Sequence, residues 1–251
     1  MTMRITVSED GPYLVEGGVP LVRADILVND EGDAVGWRET GRIDAGETYQ
    51  LCRCGASSEK PFCDYSHIAI LFDGTETAGH RSFAETSLDI SGSGLKLHDA
   101  RRLCAEARFC DRHGGLWNLV DQCEDPEIRE LAITEAQLCP SGRYVACDAD
   151  GNPLEPELEP SIVLIEDPQL GVSGPLFVRG GIEICDVRGN PYEVRNRVTL
   201  CRCGASKNKP FCDGQHITIG FKEQLDQGAA ESSADDVGTV SDPAAPLQPV
   251  G

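Results

Sequence analysis

Two stretches of the chain place thiols and an imidazole at one repeated spacing: Cys52, Cys54, Cys63 and His67, then Cys201, Cys203, Cys212 and His216. Each reads Cys-x-Cys, eight residues, Cys, three residues, His. Three thiolates and one neutral imidazole complete a tetrahedral shell for one metal ion, or supply the four terminal ligands of a two-iron cluster. Residue types alone leave zinc and iron both open. Structural zinc sites usually pair cysteines two to four residues apart, whereas these loops crowd three thiols together and add a late histidine. Disulfides are the weaker reading, because cysteines flanking a single residue are poorly placed to bond each other and three per copy leave one over. Recurrence at identical spacing also argues against plain surface histidines.

A third group is sparser. Cys104 and Cys110 are separated by five residues, and Cys139 follows much later in Cys139-Pro140-Ser141-Gly142. Three thiols can hold part of an iron-sulfur cluster, with Cys123, Cys147 or a non-cysteine group as fourth ligand; three reduced cysteines in a small core is the bland alternative. Cys185 has no counterpart in the first copy and reads as a core residue. Twelve cysteines without an apolar export signal at the start predict a reducing, cytoplasmic setting in which thiols bind metal.

The loops lie within a longer duplication. Leu51 to His67 recurs as Leu200 to His216, and Gly11 to Leu21 resembles Gly174 to Ile184. Such a repeat predicts two modules, at 1–75 and 160–224. Short β-branched runs between Gly and Pro read as strands: Arg4 to Val7, Val19 to Val28, Thr48 to Leu51, Ile162 to Ile165, Ile182 to Val187 and Glu193 to Leu200. The ligand loops have neither a period of 2 nor of 3.6. Between the modules, 76–150 differs: Asp125-Pro126 starts a helix through Ile128, Leu131, Ala132, Glu135 and Leu138 that Pro140 stops. Residues 151–159 read as a linker and 225–251 as a disordered acidic tail. The expected class is α+β, mostly β. A net charge of −20 disfavours nucleic acid and anionic membrane and favours a basic partner. No run of ~20 apolar residues predicts a membrane span, and no catalytic triad or phosphate loop is evident, so no intrinsic catalysis is expected.

The twin loops resemble the CDGSH iron-sulfur family: both have Cys-Arg-Cys, a Ser three residues after the second Cys, Pro-Phe-Cys-Asp and the closing His. The resemblance implies two 2Fe-2S clusters, with Cys52 and Cys54 on one iron and Cys63 and His67 on the other, and likewise Cys201 and Cys203 with Cys212 and His216. It also implies a pseudo-dimer of two small β-rich modules within one monomer. Tyr65 departs from the family Gly, so this position either avoids positive φ or accepts strain. Asp64 and Asp213 could cap a short turn leading to the His. Arg53, Arg202, Lys60 and Lys209 could lend charge to the thiolates or be ordinary solvated cations.

The middle segment is similar to a divergent single-cluster ferredoxin, a small α/β unit. Arg143-Tyr144 replaces the usual Ala-Leu, and Glu106 stands where related segments have a His. A third cluster, 3Fe-4S or 4Fe-4S, would use Cys104, Cys110 and Cys139. These readings together predict electron transfer to a redox partner. The alternatives are cluster storage, sensing or transfer to an apo-acceptor protein, and a zinc-stabilised interaction module. His80, His98 and His113 have no matched partners at ligand spacing.

Overall fold

The computed structural model describes residues 2–223; the tail at 225–251 lies outside the described residues. The first module contributes β1 (Arg4–Val7), β2 (Tyr13–Glu16), β3 (Leu21–Val28), β4 (Ala34–Ile43), β5 (Thr48–Leu51) and the helical turn α1 (Ser66–Ala69). The middle segment follows with α2 (Phe83–Thr86), β6 (Leu88–Ser91), β7 (Lys96–Asp99), α3 (Leu116–Val120), α4 (Pro126–Leu138) and β8 (Tyr144–Cys147). The second module holds β9 (Ser161–Asp167), β10 (Val172–Arg179), β11 (Glu183–Cys185), β12 (Arg197–Leu200) and α5 (Gln215–Thr218).

The modules exchange strands. One sheet runs β11-β1-β2-β5 and another β12-β10-β9-β3-β4. The third strand of each copy thus leaves its own module and pairs in parallel with the first strand of the other, Leu21 opposite Ile162 and Arg4 opposite Glu183. The result is an intramolecular pseudo-dimer of two small β-rich modules. Side chains alternate across each strand, so Ile5, Val7, Tyr13 and Val15 meet Ile162, Leu164, Leu176 and Val178 in one shared core.

The two sheets differ on their outer faces. In β1 only alternate residues are buried, whereas β9 is buried almost throughout. The middle segment causes this: Phe109, Ala107 and Leu138 pack on Val22, Ala24, Ile26, Val163, Ile165 and Phe177. A strand covered on both faces must be apolar on both, which is why SIVLI in the second copy replaces the alternating RITV of the first. The segment is itself α+β, a sheet of order β6-β7-β8 packed on α3 and α4. Asp125 caps α4, its carboxylate accepting from Glu127 N at 2.8 Å.

Several sequence expectations need correcting. The strand expected over Glu193 to Leu200 begins only at Arg197, since Pro191 to Asn196 wraps the edge before it. Strands β2, β4 and β10 were not among the expected runs. In β4 the residues from Trp37 to Ile43 are half-buried or exposed, an edge with little apolar signal. Across β10, Gly174 and Pro175 interrupt the β-branched pattern at a bulge.

Candidate iron-sulfur sites

Each ligand loop is built from its own backbone. Cys52 N donates to Pro61 O at 2.8 Å and Cys201 N to Pro210 O at 2.9 Å, closing the loop on the end of its strand. Ser57 Oγ and Ser206 Oγ donate to Phe62 O and Phe211 O, both at 2.7 Å. Asp64 accepts from Ser58 N and Ser66 N at 2.8 and 2.9 Å, and Asp213 does the same for Lys207 N and Gln215 N. These carboxylates staple the loop to the turn carrying the histidine, while the cap position itself is Tyr65 or Gly214. The bonds hold Asp64 well below the usual carboxylate range.

The loops present their ligands as pairs. Cys52 Sγ and Cys54 Sγ are 3.7 Å apart, as are Cys201 Sγ and Cys203 Sγ. Cys63 Sγ lies 3.4 Å from His67 Nδ1, and Cys212 Sγ lies 3.6 Å from His216 Nδ1. Two thiolates about 2.3 Å from one tetrahedral metal sit about 3.8 Å apart, and a thiolate with an imidazole slightly less. Each pair therefore fits one tetrahedral metal ion. Among the described residues no three such side chains converge on a single ion position. Backbone N–H groups of Ala56, Tyr65 and Gly214 point at Cys54, Cys63 and Cys212 at 3.4 Å, donors that stabilise thiolate charge.

Arg53 and Arg202 are neither solvated nor aimed at the sulfurs. Arg53 is 1 % exposed and donates to Gly11 O, Gly74 O and Ser8 O at 2.8, 2.9 and 2.9 Å. Arg202 reaches Gly174 O and Ile165 O at 2.7 and 2.8 Å, and pairs with Glu166 and Glu223. Both tie the loop to the strand turn beside the histidine. Lys60 bonds the Ser57 carbonyl, and Lys209 stands 6.0 Å over the Phe72 ring.

The sites meet at the pseudo-twofold axis. A Cβ on Gly55 would lie 2.6 Å from Cys203 O, and one on Gly204 would strike Cys54 O. Each Cys-Arg-Cys-Gly turn thus abuts the other, and only a residue without Cβ permits it. Tyr13 adds a cross-module support, its hydroxyl donating to Cys201 O and Pro210 O at 2.8 and 3.0 Å.

The middle cysteines also gather. Cys110 is pushed up to about 12 by burial first, then by the charges of Asp111, Cys139 and Cys104. Arg143, held by Asp99 at 2.6 and 3.0 Å, donates to Cys104 Sγ at 3.3 Å, which gives the departure from Ala a role. Cys139 is the C-cap of α4. Arg197, 2 % exposed on β12, donates to Ala136 O and Cys139 O at 2.6 and 2.7 Å and so satisfies that helix end. Cys123 is not brought to this group: its Sγ donates to Leu119 O inside the segment's apolar core. Cys147 ends β8, where the charges bearing on it are those of Asp148, Glu155, Lys96 and Asp89. Cys185 is buried, as a core residue should be.

This third group lies against the second loop alone. A Cβ on Gly214 would be 2.5 Å from Glu106 Cγ, Asn208 Nδ2 donates to Arg102 O at 3.1 Å, and the charge of Cys104 bears on Cys212. Arg108 pairs with Asp167 at 2.5 Å. His216 is consequently 5 % exposed, and burial together with Arg202 pushes it down to about 4. His67, which has no such cover among the described residues, is half-buried. Nothing in the sequence signals this cover, which depends on contacts between segments 59 to 106 residues apart. Of the other histidines, His80 stacks on Tyr192 and bonds Asp186 at 3.2 Å, and His98 bonds Asp89 at 2.6 Å.

The model of the iron-binding zinc finger of CDGSH type matches residues 10–68 and again residues 173–217. That of a divergent 4Fe-4S mono-cluster domain matches residues 90–148, covering Cys104, Cys110 and Cys139. No curated protein and no solved structure matches the chain. Ligand loops, strand exchange and these matches lead to one statement: the chain belongs to the CDGSH iron-sulfur family, in a tandem form with a divergent single-cluster segment between its two copies.

Proposed function

We propose that this iron-sulfur protein is an electron-transfer relay with no intrinsic catalysis. Cys52, Cys54, Cys63 and His67 would hold one 2Fe-2S cluster, and Cys201, Cys203, Cys212 and His216 another. Cys104, Cys110 and Cys139 would hold a third, of 3Fe-4S or 4Fe-4S type. Such clusters supply reversible one-electron chemistry, and an imidazole ligand leaves less negative charge on them than a thiolate, which raises the potential. The observation that carries the reading is the contiguity of the three ligand groups. Cys104 neighbours Cys212, and the Cys203 and Cys54 turns touch at the axis. What the chain itself does is hold these groups in fixed order and bury Cys201, Cys212 and His216 of the second loop. Arg143 and the loop N–H groups offset thiolate charge.

Iron and acid-labile sulfide counts with an anaerobic redox titration followed by EPR test this. Seven or eight irons per chain and reversible one-electron steps are expected. Colourless, zinc-loaded protein, or iron-loaded protein with no reversible step, would sink it. The half-exposure of His67 favours a second reading, release of that cluster to an apo-acceptor protein. Mixing with an apo-ferredoxin and following its spectrum distinguishes the two.

A further inference from the structure

The two copies differ beside their histidines. Around His67 stand Tyr65, Ile68, Ile70 and Leu71, exposed by 59, 65, 51 and 87 %. Four adjacent exposed apolar side chains form a patch of the kind that marks an interaction surface. Two of them occupy left-handed backbone, Tyr65 at φ 67 and Leu71 at φ 52. The second copy has glycine at both places, Gly214 at φ 84 and Gly220 at φ 62. A side chain in that conformation is strained by the approach of its Cβ to the following carbonyl oxygen. The first copy therefore carries large apolar residues where its fold prefers glycine, and leaves them in solvent.

The second copy shows what the histidine side of such a face receives, while Ile219, the counterpart of Ile70, stays 51 % exposed there as well. There the loop from Arg102 to Cys110, which carries two of the middle thiols, lies over His216. Glu106 sits on Gly214, Arg108 pairs with Asp167, and Arg102 O takes Asn208. By the repeat, the matching positions on the open face are Tyr65, Asp10 and Glu59. Asp10 and Glu59 are exposed acids, joined there by Glu9 and Asp73. A Cβ on Gly11, next to Asp10, would lie 3.7 Å from His67 Nε2. The rim is thus acidic around an apolar centre.

We propose that the face around His67 is the docking site for a separate redox protein whose own centre lies beneath an apolar surface rimmed by Arg or Lys. It occupies the place that the middle segment fills over His216. The inference rests on the electron-transfer reading. One electron leaves the reduced chain and reduces the partner's oxidised centre; no atom is transferred.

The test uses full-length, cluster-loaded protein, reduced and freed of reductant, mixed by stopped flow with ferric cytochrome c, a basic one-electron acceptor with an apolar haem edge. Ferricyanide, a small anionic oxidant, is the parallel arm. The double substitution Ile68→Ser/Leu71→Gly should slow cytochrome c reduction about tenfold, with the ferricyanide rate unchanged. The parent rate should fall steeply with salt. Leu88→Ser, at an exposed apolar residue of the middle segment, should leave both rates alone. The single Leu71→Gly should raise the unfolding midpoint while slowing cytochrome c, a combination that loss of structure does not produce. Equal cytochrome c rates in parent and double variant, with ferricyanide reduced normally, overturn this inference and spare the relay. Failure to reduce either oxidant overturns both. A dimer of the parent on gel filtration that the double variant abolishes would assign the patch to a second copy of the chain and overturn the inference too.

Discussion

Glu135 is fully buried on α4, and among the described residues neither of its carboxylate oxygens has a hydrogen-bond partner. Burial pushes it up to about 8, with Arg112 opposing and Asp111 and Asp33 adding to the rise. The folded state thus holds a proton that the unfolded chain gives up near the ordinary value of 4.5. The group's contribution to stability is complete below that value and is lost as pH climbs through about 8. Glu135→Gln should remove this dependence and make the protein more stable than the parent above pH 8, by roughly 2–4 kcal/mol. Urea unfolding at a series of pH values measures it; parallel profiles for parent and variant would refute it. The sequence showed Glu135 only as one polar residue in an amphipathic helix, because its surroundings come from the 3-10 turn at Arg112–Gly114 and the β3–β4 turn. The ligands, by contrast, were legible, since duplication at fixed spacing states them twice.

At the scale of elements, the informative feature is that β3 and β11 change places between modules. A strand that leaves its own module cannot be satisfied within it, so residues 1–75 alone lack a partner for one edge of β1 and one edge of β3. Each edge fits the other if a second copy supplies it. Expressed alone, 1–75 should therefore elute as a dimer on gel filtration; a folded monomer would contradict the exchange as the source of stability. The sequence announced two similar modules, and the resemblance implied their pairing. Strand partnership was not legible, because Leu21 opposite Ile162 joins residues whose local pattern would suit several partners equally. Strand β4 was missed for a related reason: its outer half faces solvent and carries Arg38, Glu39 and Arg42 in place of alternating apolar residues.

Across the whole molecule, the middle segment breaks the symmetry of the duplication. It packs over β9 and β3, takes its helix end from Arg197 of β12, and shields one histidine of the two. Protons compete with metal for an imidazole, and the two imidazoles are unequally sheltered, His216 being 5 % exposed and His67 half-buried. After a jump from pH 7 to 5 the twin sites should bleach in two kinetic phases, the one at His67 first. His67→Cys should abolish the early phase and His216→Cys should leave it intact; a single phase in the parent would count against unequal shielding. The contact of Gly55 with Cys203 O and of Gly204 with Cys54 O sets a different bound on this architecture. A duplicated gene ordinarily frees one copy to drift while the other keeps the task. Here a methyl group added in either copy would pry open the opposite turn, so at this hinge point the halves share one fate, and divergence is confined to surfaces away from it.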